Sequence, residues 1–205
     1  MSHFNQNQVD AVTELMNVAS GHAANALAGI IGQRVRIELL DLKFFGRAEM
    51  IAFLSQELGQ IGSAVEQDFK GDINGSALLL LTHEHAANMI EALLKENREL
   101  ASLTSAEQAV LGEVGNVILN ACVAMLCNQI NKRVRFNVPN VSINRSGAEI
   151  ANSLTLDWNE KLEAIVLKSR MRVGEIETVV YILIVLAIHF NDWENLLASL
   201  PDFVE

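Results

Sequence analysis

Glu14 and Asn17 stand three residues apart in ELMNVASGHAANALAG (14–29), and Glu113 and Asn116 stand three apart in EVGNVILNACVAMLCNQ (113–129). Residues three or four apart in a helix share a face. A carboxamide is no base at neutral pH, but it offers a donor and an acceptor on one rigid fork. It can hold a water in line with a phosphorus atom, as a glutamine does in GTPases. A carboxylate one turn away can pair with a lysine on a partner and fix the docking register. The chain has no Walker loop, no dinucleotide fingerprint and no clear metal cage. Any phosphoryl group would therefore be presented by another protein.

The helices that must position these pairs are similar to each other. ELMNVASGHAANALAGIIGQRVRI aligns with EVGNVILNACVAMLCNQINKRVRF at a constant offset (113 − 14 = 99, 133 − 34 = 99). Downstream, Ala48-Glu49 matches Ala148-Glu149, Gly71-Asp72-Ile73 matches Gly174-Glu175-Ile176, and Leu93-Leu94 matches Leu196-Leu197. Matches that keep their order over such a span indicate two tandem copies, roughly 5–98 and 104–201. Most neighbours differ between the copies (Met16 against Gly115, Ser20 against Leu119, His22 against Ala121), yet the Glu–Asn pair stands in both. The stripe in the first copy is Asp10, Glu14, Asn17, Gly21; in the second it is Ala109, Glu113, Asn116, Asn120.

Each copy has the same plan. A long helix is expected at 6–32 and 105–132, with Ser105 as N-cap of the second. A strand starts at Arg34-Val35-Arg36 and Arg133-Val134-Arg135 and runs to 45 and 143. A short helical or irregular piece follows (47–57, 147–156). A hairpin comes next (60–69 with 73–82, 162–172 with 176–188), turning at Gly71 and Gly174. A closing helix (83–96, 190–200) ends each copy, with Pro201 as a stop. Hairpin-joined strands make an antiparallel sheet, and amphipathic helices must cover one face of it. The expected fold is two-layer α/β (α+β) with pseudo-twofold symmetry, as one domain or two tightly packed halves.

Composition narrows the partners. The 205 residues carry 15 basic and 25 acidic side chains, a net charge of −10, with half the residues hydrophobic. An acidic chain without a Lys/Arg block is a poor match for nucleic acid or an anionic membrane. Cys122 and Cys127 fall on different faces of one helix and read as small buried residues in a reducing, cytoplasmic setting. The start, MSHFNQNQ, does not resemble a signal peptide. The apolar run Val179–Ile188 is too short to span a bilayer as a helix and reads as a buried strand. His83 and His85, with His189 at the matching junction, read as helix-start residues behind Thr82 more simply than as metal ligands. Lys168–Arg172 (KSRMR) reads as an exposed strand edge, and Pro139 is compatible with an edge strand.

The pattern resembles the CheC/CheX/FliY family of chemotaxis phosphatases, whose motif is Asp/Ser-x3-Glu-x2-Asn-x22-Pro. The first copy has Asp10, Glu14 and Asn17, with Leu40 at the proline position; the second has Glu113, Asn116 and Pro139, with Ala109 at the Asp/Ser position. The resemblance covers nearly the whole chain and implies one CheC-like domain over 1–205 of tandem α-β-β-β-α repeats. It implies cytoplasmic hydrolysis of the aspartyl phosphate of a CheY-like response regulator. Asn17 and Asn116 would orient water, and Glu14 and Glu113 would bind the regulator's active-site lysine. No cofactor is expected on this chain; Mg²⁺ would sit on the regulator. CheD is a further partner the resemblance suggests, and a non-catalytic adaptor is the alternative reading.

Overall fold

A computed structural model describes residues 5–57, 60–94, 103–154 and 162–187. The expected closing helix at 190–200, Pro201 and His189 lie outside the described residues. The first half contributes α1 (Gln6–Ile31), β1 (Val35–Phe45), α2 (Arg47–Ala52) continued by a π-turn (Phe53–Glu57), β2 (Gln60–Gly71), β3 (Asn74–Leu81) and α3 (His83–Leu94). The second contributes α4 (Ser105–Gln129), β4 (Val134–Phe136), β5 (Asn140–Ser146), α5 (Gly147–Ser153), β6 (Leu162–Val173) and β7 (Ile176–Ala187).

Local chemistry sets the helix ends. Asn5 caps α1 with Gln8 in a reciprocal box, the two backbone-to-side-chain bonds being 2.9 and 3.0 Å. Gly32 closes the helix at φ 69°, donating its N–H to the Ala28 carbonyl. The cap of α4 is Thr104, not Ser105. Glu107, three residues on, accepts from both the backbone N–H and the hydroxyl of Thr104, which makes Ser105 the first helical residue. The repeated Ala-Glu dipeptide also has a capping role. Glu49 accepts from Gly46 N–H, and Glu149 accepts from Ser146 N–H. Those backbone bonds hold both carboxyls below their ordinary range.

All seven strands join one antiparallel sheet in the order β1-β6-β7-β3-β2-β4, with β5 also paired to β2. The first strand of each half pairs with the hairpin of the other: β1 with β6, and β4 and β5 with β2. The hairpins meet along β3 and β7. There Leu79 faces Ile182, 103 residues on (182 − 79 = 103), the offset of the hairpin turns. β7 is an inner strand, so its apolar run is buried on both faces.

The expected strand 133–143 is broken into β4 and β5 around Asn137–Pro139. Lys168–Arg172 is not a sheet edge, because β6 lies between β1 and β7. Its basic residues alternate with buried Ser169 and Met171. Arg170 pairs with Glu38 and Glu177, and Arg172 with Glu177, at 2.6–3.3 Å.

The long helices form the helical layer on one face, where Met16, Leu27, Leu119, Leu126, Val65, Phe69 and Leu79 share a core. A smaller core on the opposite face, not anticipated from the sequence, sits under α2 and α5. It includes Met50, Leu54, Ile150, Leu78, Leu80 and Leu183. Helix α4 is long and apolar enough to cross a membrane by length and composition, but 56% of its most apolar window is buried inside the fold. Cys122 and Cys127 are free and buried in α4, and burial pushes their thiols up to about 12 and about 11.

The long helices approach the sheet differently. A Cβ on Gly115 would lie 2.6 Å from Val65 Cγ1, so α4 rides directly on β2. At the equivalent place α1 has Met16, fully buried, whose side chain fills the gap. By contrast, a Cβ on Gly21 would meet nothing within 4 Å. Gly115→Ala is therefore expected to lower unfolding stability by about 1–3 kcal/mol through overpacking. Gly21→Ala is expected to raise it by about 0.4–1 kcal/mol by restricting the unfolded chain. Urea midpoints of the two variants, measured side by side, check both signs.

Glu66 on β2 has its carboxyl raised above the ordinary range by burial first and by the charge of Asp68 next, with Arg145 opposing. A carboxyl raised in the folded state contributes stability below its unfolded pKa. That contribution is lost as pH rises through the folded value. Glu66→Gln should thus melt higher than the parent chain at about pH 7, with the gap closing toward about pH 4; paired thermal melts across that range test it.

Candidate functional site

On α1, Glu14 and Asn17 are both exposed and one turn apart. Neither side chain makes a hydrogen bond or ion pair among the described residues. Asp10, one turn earlier, is exposed and accepts a bond from Gln6 Nε2 at 2.8 Å. Gly21, one turn later, leaves the helix backbone bare. Asn17 thus presents both ends of its carboxamide outward beside an unpaired carboxylate.

The α4 pair has a different environment. Glu113 is exposed, but Asn116 is half-buried. Gln67 Nε2 donates to Asn116 Oδ1 at 2.9 Å and to the Asn137 carbonyl at 2.8 Å. Asn120 Nδ2 donates to the same Asn116 oxygen at 3.0 Å. A carboxamide oxygen has two lone pairs, and both are engaged here. The Nδ2 end of Asn116 makes no hydrogen bond within the described residues and is not buried.

Register explains the difference. Val65 of β2 faces Leu79, and Leu167 of β6 faces Ile182, the two residues that meet at the centre of the sheet. Two residues further along, Gln67 and Ser169 therefore occupy equivalent places beneath α4 and α1. Gln67 reaches Asn116, helped by the close approach at Gly115. Ser169 is fully buried, its hydroxyl makes no hydrogen bond, and it is too short to reach the exposed Asn17.

The pairs form two sites. Leu27, Ile30 and Ile31 at the end of α1 share an apolar groove of about 380 Å³ with Ala109, Val110, Glu113 and Val114 of α4. The helices therefore run antiparallel. Glu14 lies roughly 24 Å along α1 from Ile30, at 1.5 Å per residue, so it is remote from Glu113. The pairs look out from opposite ends of the helical layer.

No family model matches the sequence. The CheY-P phosphatase CheC of Bacillus subtilis (strain 168) is 24% identical over 160 residues, which is 75% of this chain and 76% of that protein. The structure of Thermotoga maritima FliY superposes with a TM-score of 0.72 at 17% identity, covering 97% of this chain and 98% of that one. The FliM middle domain from H. pylori superposes at 0.64 with 14% identity, covering 96% and 99%. The chain is similar in sequence to a CheC protein and shares the fold of FliY and of the FliM middle domain.

The family motif now has a spatial meaning in this chain. Pro139 lies between β4 and β5 on an edge of the sheet, where pairing with β2 lapses and resumes one residue out of step. At the other edge the β1–β6 register shifts between Leu39 and Asp41, which makes Leu40 the extra residue. Both motif positions therefore fall where an edge strand carries one extra residue. Proline's missing N–H costs no ladder bond there, and leucine serves as well. Ala109, at the Asp/Ser position, is exposed one turn before Glu113.

Gln67 and Asn137 escape a helix-based reading. The available signal is a glutamine in the inward-facing row Val65-x-Gln67-x-Phe69, otherwise apolar. His22 is exposed on α1, and His83 and His85 lie in the first turn of α3. The described residues hold no group of three or more His, Cys, Asp or Glu able to bind a metal.

Removing Asn116 strands two donors. Asn116→Ala is expected to cost about 1–3 kcal/mol, since the Gln67 and Asn120 amides lose their shared acceptor. Asn17→Ala should stay within about 0.5 kcal/mol of the parent. Chemical denaturation of the two single variants compares them directly.

Proposed function

We propose that this chain is a CheC-like phosphatase that accelerates hydrolysis of the aspartyl phosphate on a CheY-like response regulator in the cytoplasm. The observation that carries the reading is the exposed, unpartnered Glu14–Asn17 pair on a long helix, in a chain similar to a CheY-P phosphatase. Glu14 would hold the regulator's active-site lysine, and Asn17 would reach the phosphoryl group. Asn17 Oδ1 accepts a hydrogen from water and turns the water's lone pair toward phosphorus. The new bond joins water oxygen to phosphorus, and the bond from phosphorus to the aspartyl oxygen breaks. The leaving carboxylate keeps the electron pair, and the water proton passes to the phosphate product or solvent. Mg²⁺ belongs to the regulator in this scheme. The protein supplies position, and no side chain of its own is covalently modified.

The α4 pair is a second docking surface for the same partner. A purely binding role, as a non-catalytic adaptor for a response regulator or for CheD, is the second reading. The engaged oxygen of Asn116 favours it for that half of the molecule.

The test follows decay of a phosphorylated regulator. The parent chain should accelerate decay. Asn17→Ala should remove about 100-fold of that acceleration, and Asn116→Ala should change it by less than about threefold, under about 0.7 kcal/mol. Binding without acceleration would select the adaptor reading. Acceleration that survives the double variant would remove the asparagines from the mechanism.

A further inference from the structure

We propose that Gln67 is a positioning residue that locks Asn116 with its oxygen inward, so that the α4 pair can bind a phosphorylated regulator but cannot orient water. The inference rests on the reading of the asparagines given above. Asn116 Oδ1 accepts from Gln67 and from Asn120. Turning Asn116 over would set its own N–H groups against both donors. Turning Gln67 over would set its oxygen against the Asn137 carbonyl, which now receives a 2.8 Å bond. Each amide orientation is thus fixed by the next.

The chemistry follows from what is left. A water that aims its lone pair at phosphorus needs an acceptor for its hydrogens. Asn116 presents only N–H groups, which suit a carbonyl or phosphoryl oxygen on the partner. The lock has a cost, because Gln67 Oε1 and Asn120 Oδ1 are buried without partners. A core built for stability alone would hold an apolar side chain at position 67, between Val65 and Phe69. The anchor of the lock is the strand irregularity at Asn137–Pro139. The opposite half, with Ser169 beneath α1 and Gly21 in place of Asn120, lacks both donors.

The test uses the full chain carrying Asn17→Ala, so that only the α4 pair can act. Adding Gln67→Ser should raise the rate of regulator dephosphorylation about tenfold, a barrier change near 1.4 kcal/mol. Asn120→Ala frees one lone pair without disturbing the buried layer. It should give a smaller rise and guards against a Gln67 variant that fails to fold. Without any regulator, the Asn116 side-chain NH₂ resonance should move in both variants toward the position that Asn17 shows in the parent chain, a change that a merely structural role for Gln67 would not produce. An unmoved Asn116 resonance in folded Gln67→Ser overturns the proposal. So does a moved resonance with no gain in rate, provided the parent chain is active. If the parent chain is inactive, the functional reading fails, and the resonance alone decides whether Gln67 positions Asn116.

Discussion

The antiparallel contact of β3 with β7 is the constraint on which the rest of the structure depends. It joins two hairpins back to back and sets Leu79 against Ile182. With that register set, each hairpin has one open flank, and each flank is filled by the first strand of the other half. The long helix preceding each of those strands is delivered to the same face of the sheet. Both Glu–Asn pairs therefore look outward from one helical layer at separate ends. The interior of that layer is closed by Met16, Leu27, Leu119 and Leu126.

Equivalent position did not produce equivalent chemistry. Gly115 lets α4 settle onto Val65, and Met16 fills the matching space under α1. Beneath one helix the sheet offers the amide of Gln67; beneath the other it offers the short hydroxyl of Ser169. These two exchanges in the buried layer leave one asparagine free and engage the other. Both changes lie under the helices, while the Glu–Asn pair itself is the same in each half.

Much of this was legible in the chain. Amphipathic spacing placed both long helices to within three residues, and glycine-bearing turns placed both hairpins. Comparison of the halves isolated Glu14, Asn17, Glu113 and Asn116. Three features were not legible, each for a physical reason. The cap at Thr104 depended on where Glu107 reaches, and both Thr and Ser are good caps. The interior place of β6 was hidden because its alternating basic residues look alike on an edge strand and on the open end of an inner one. Gln67 was invisible because its role is defined by a helix 49 residues away. Nothing local marks an inward glutamine as a partner of a particular asparagine.

The exchange of first strands also sets an order of events during synthesis. The β2–β3 hairpin can close as soon as it emerges. β1 must wait for β6, whose Arg170 is 132 residues beyond its partner Glu38. Until then α1 has a finished amphipathic face but no complete sheet beneath it, and the open flank of β2 awaits β4 and β5. Such long-range pairing makes assembly slow and leaves unpaired strands exposed on the way. The α1 surface, with its free asparagine, is therefore among the first parts of the chain to be made and among the last to be anchored.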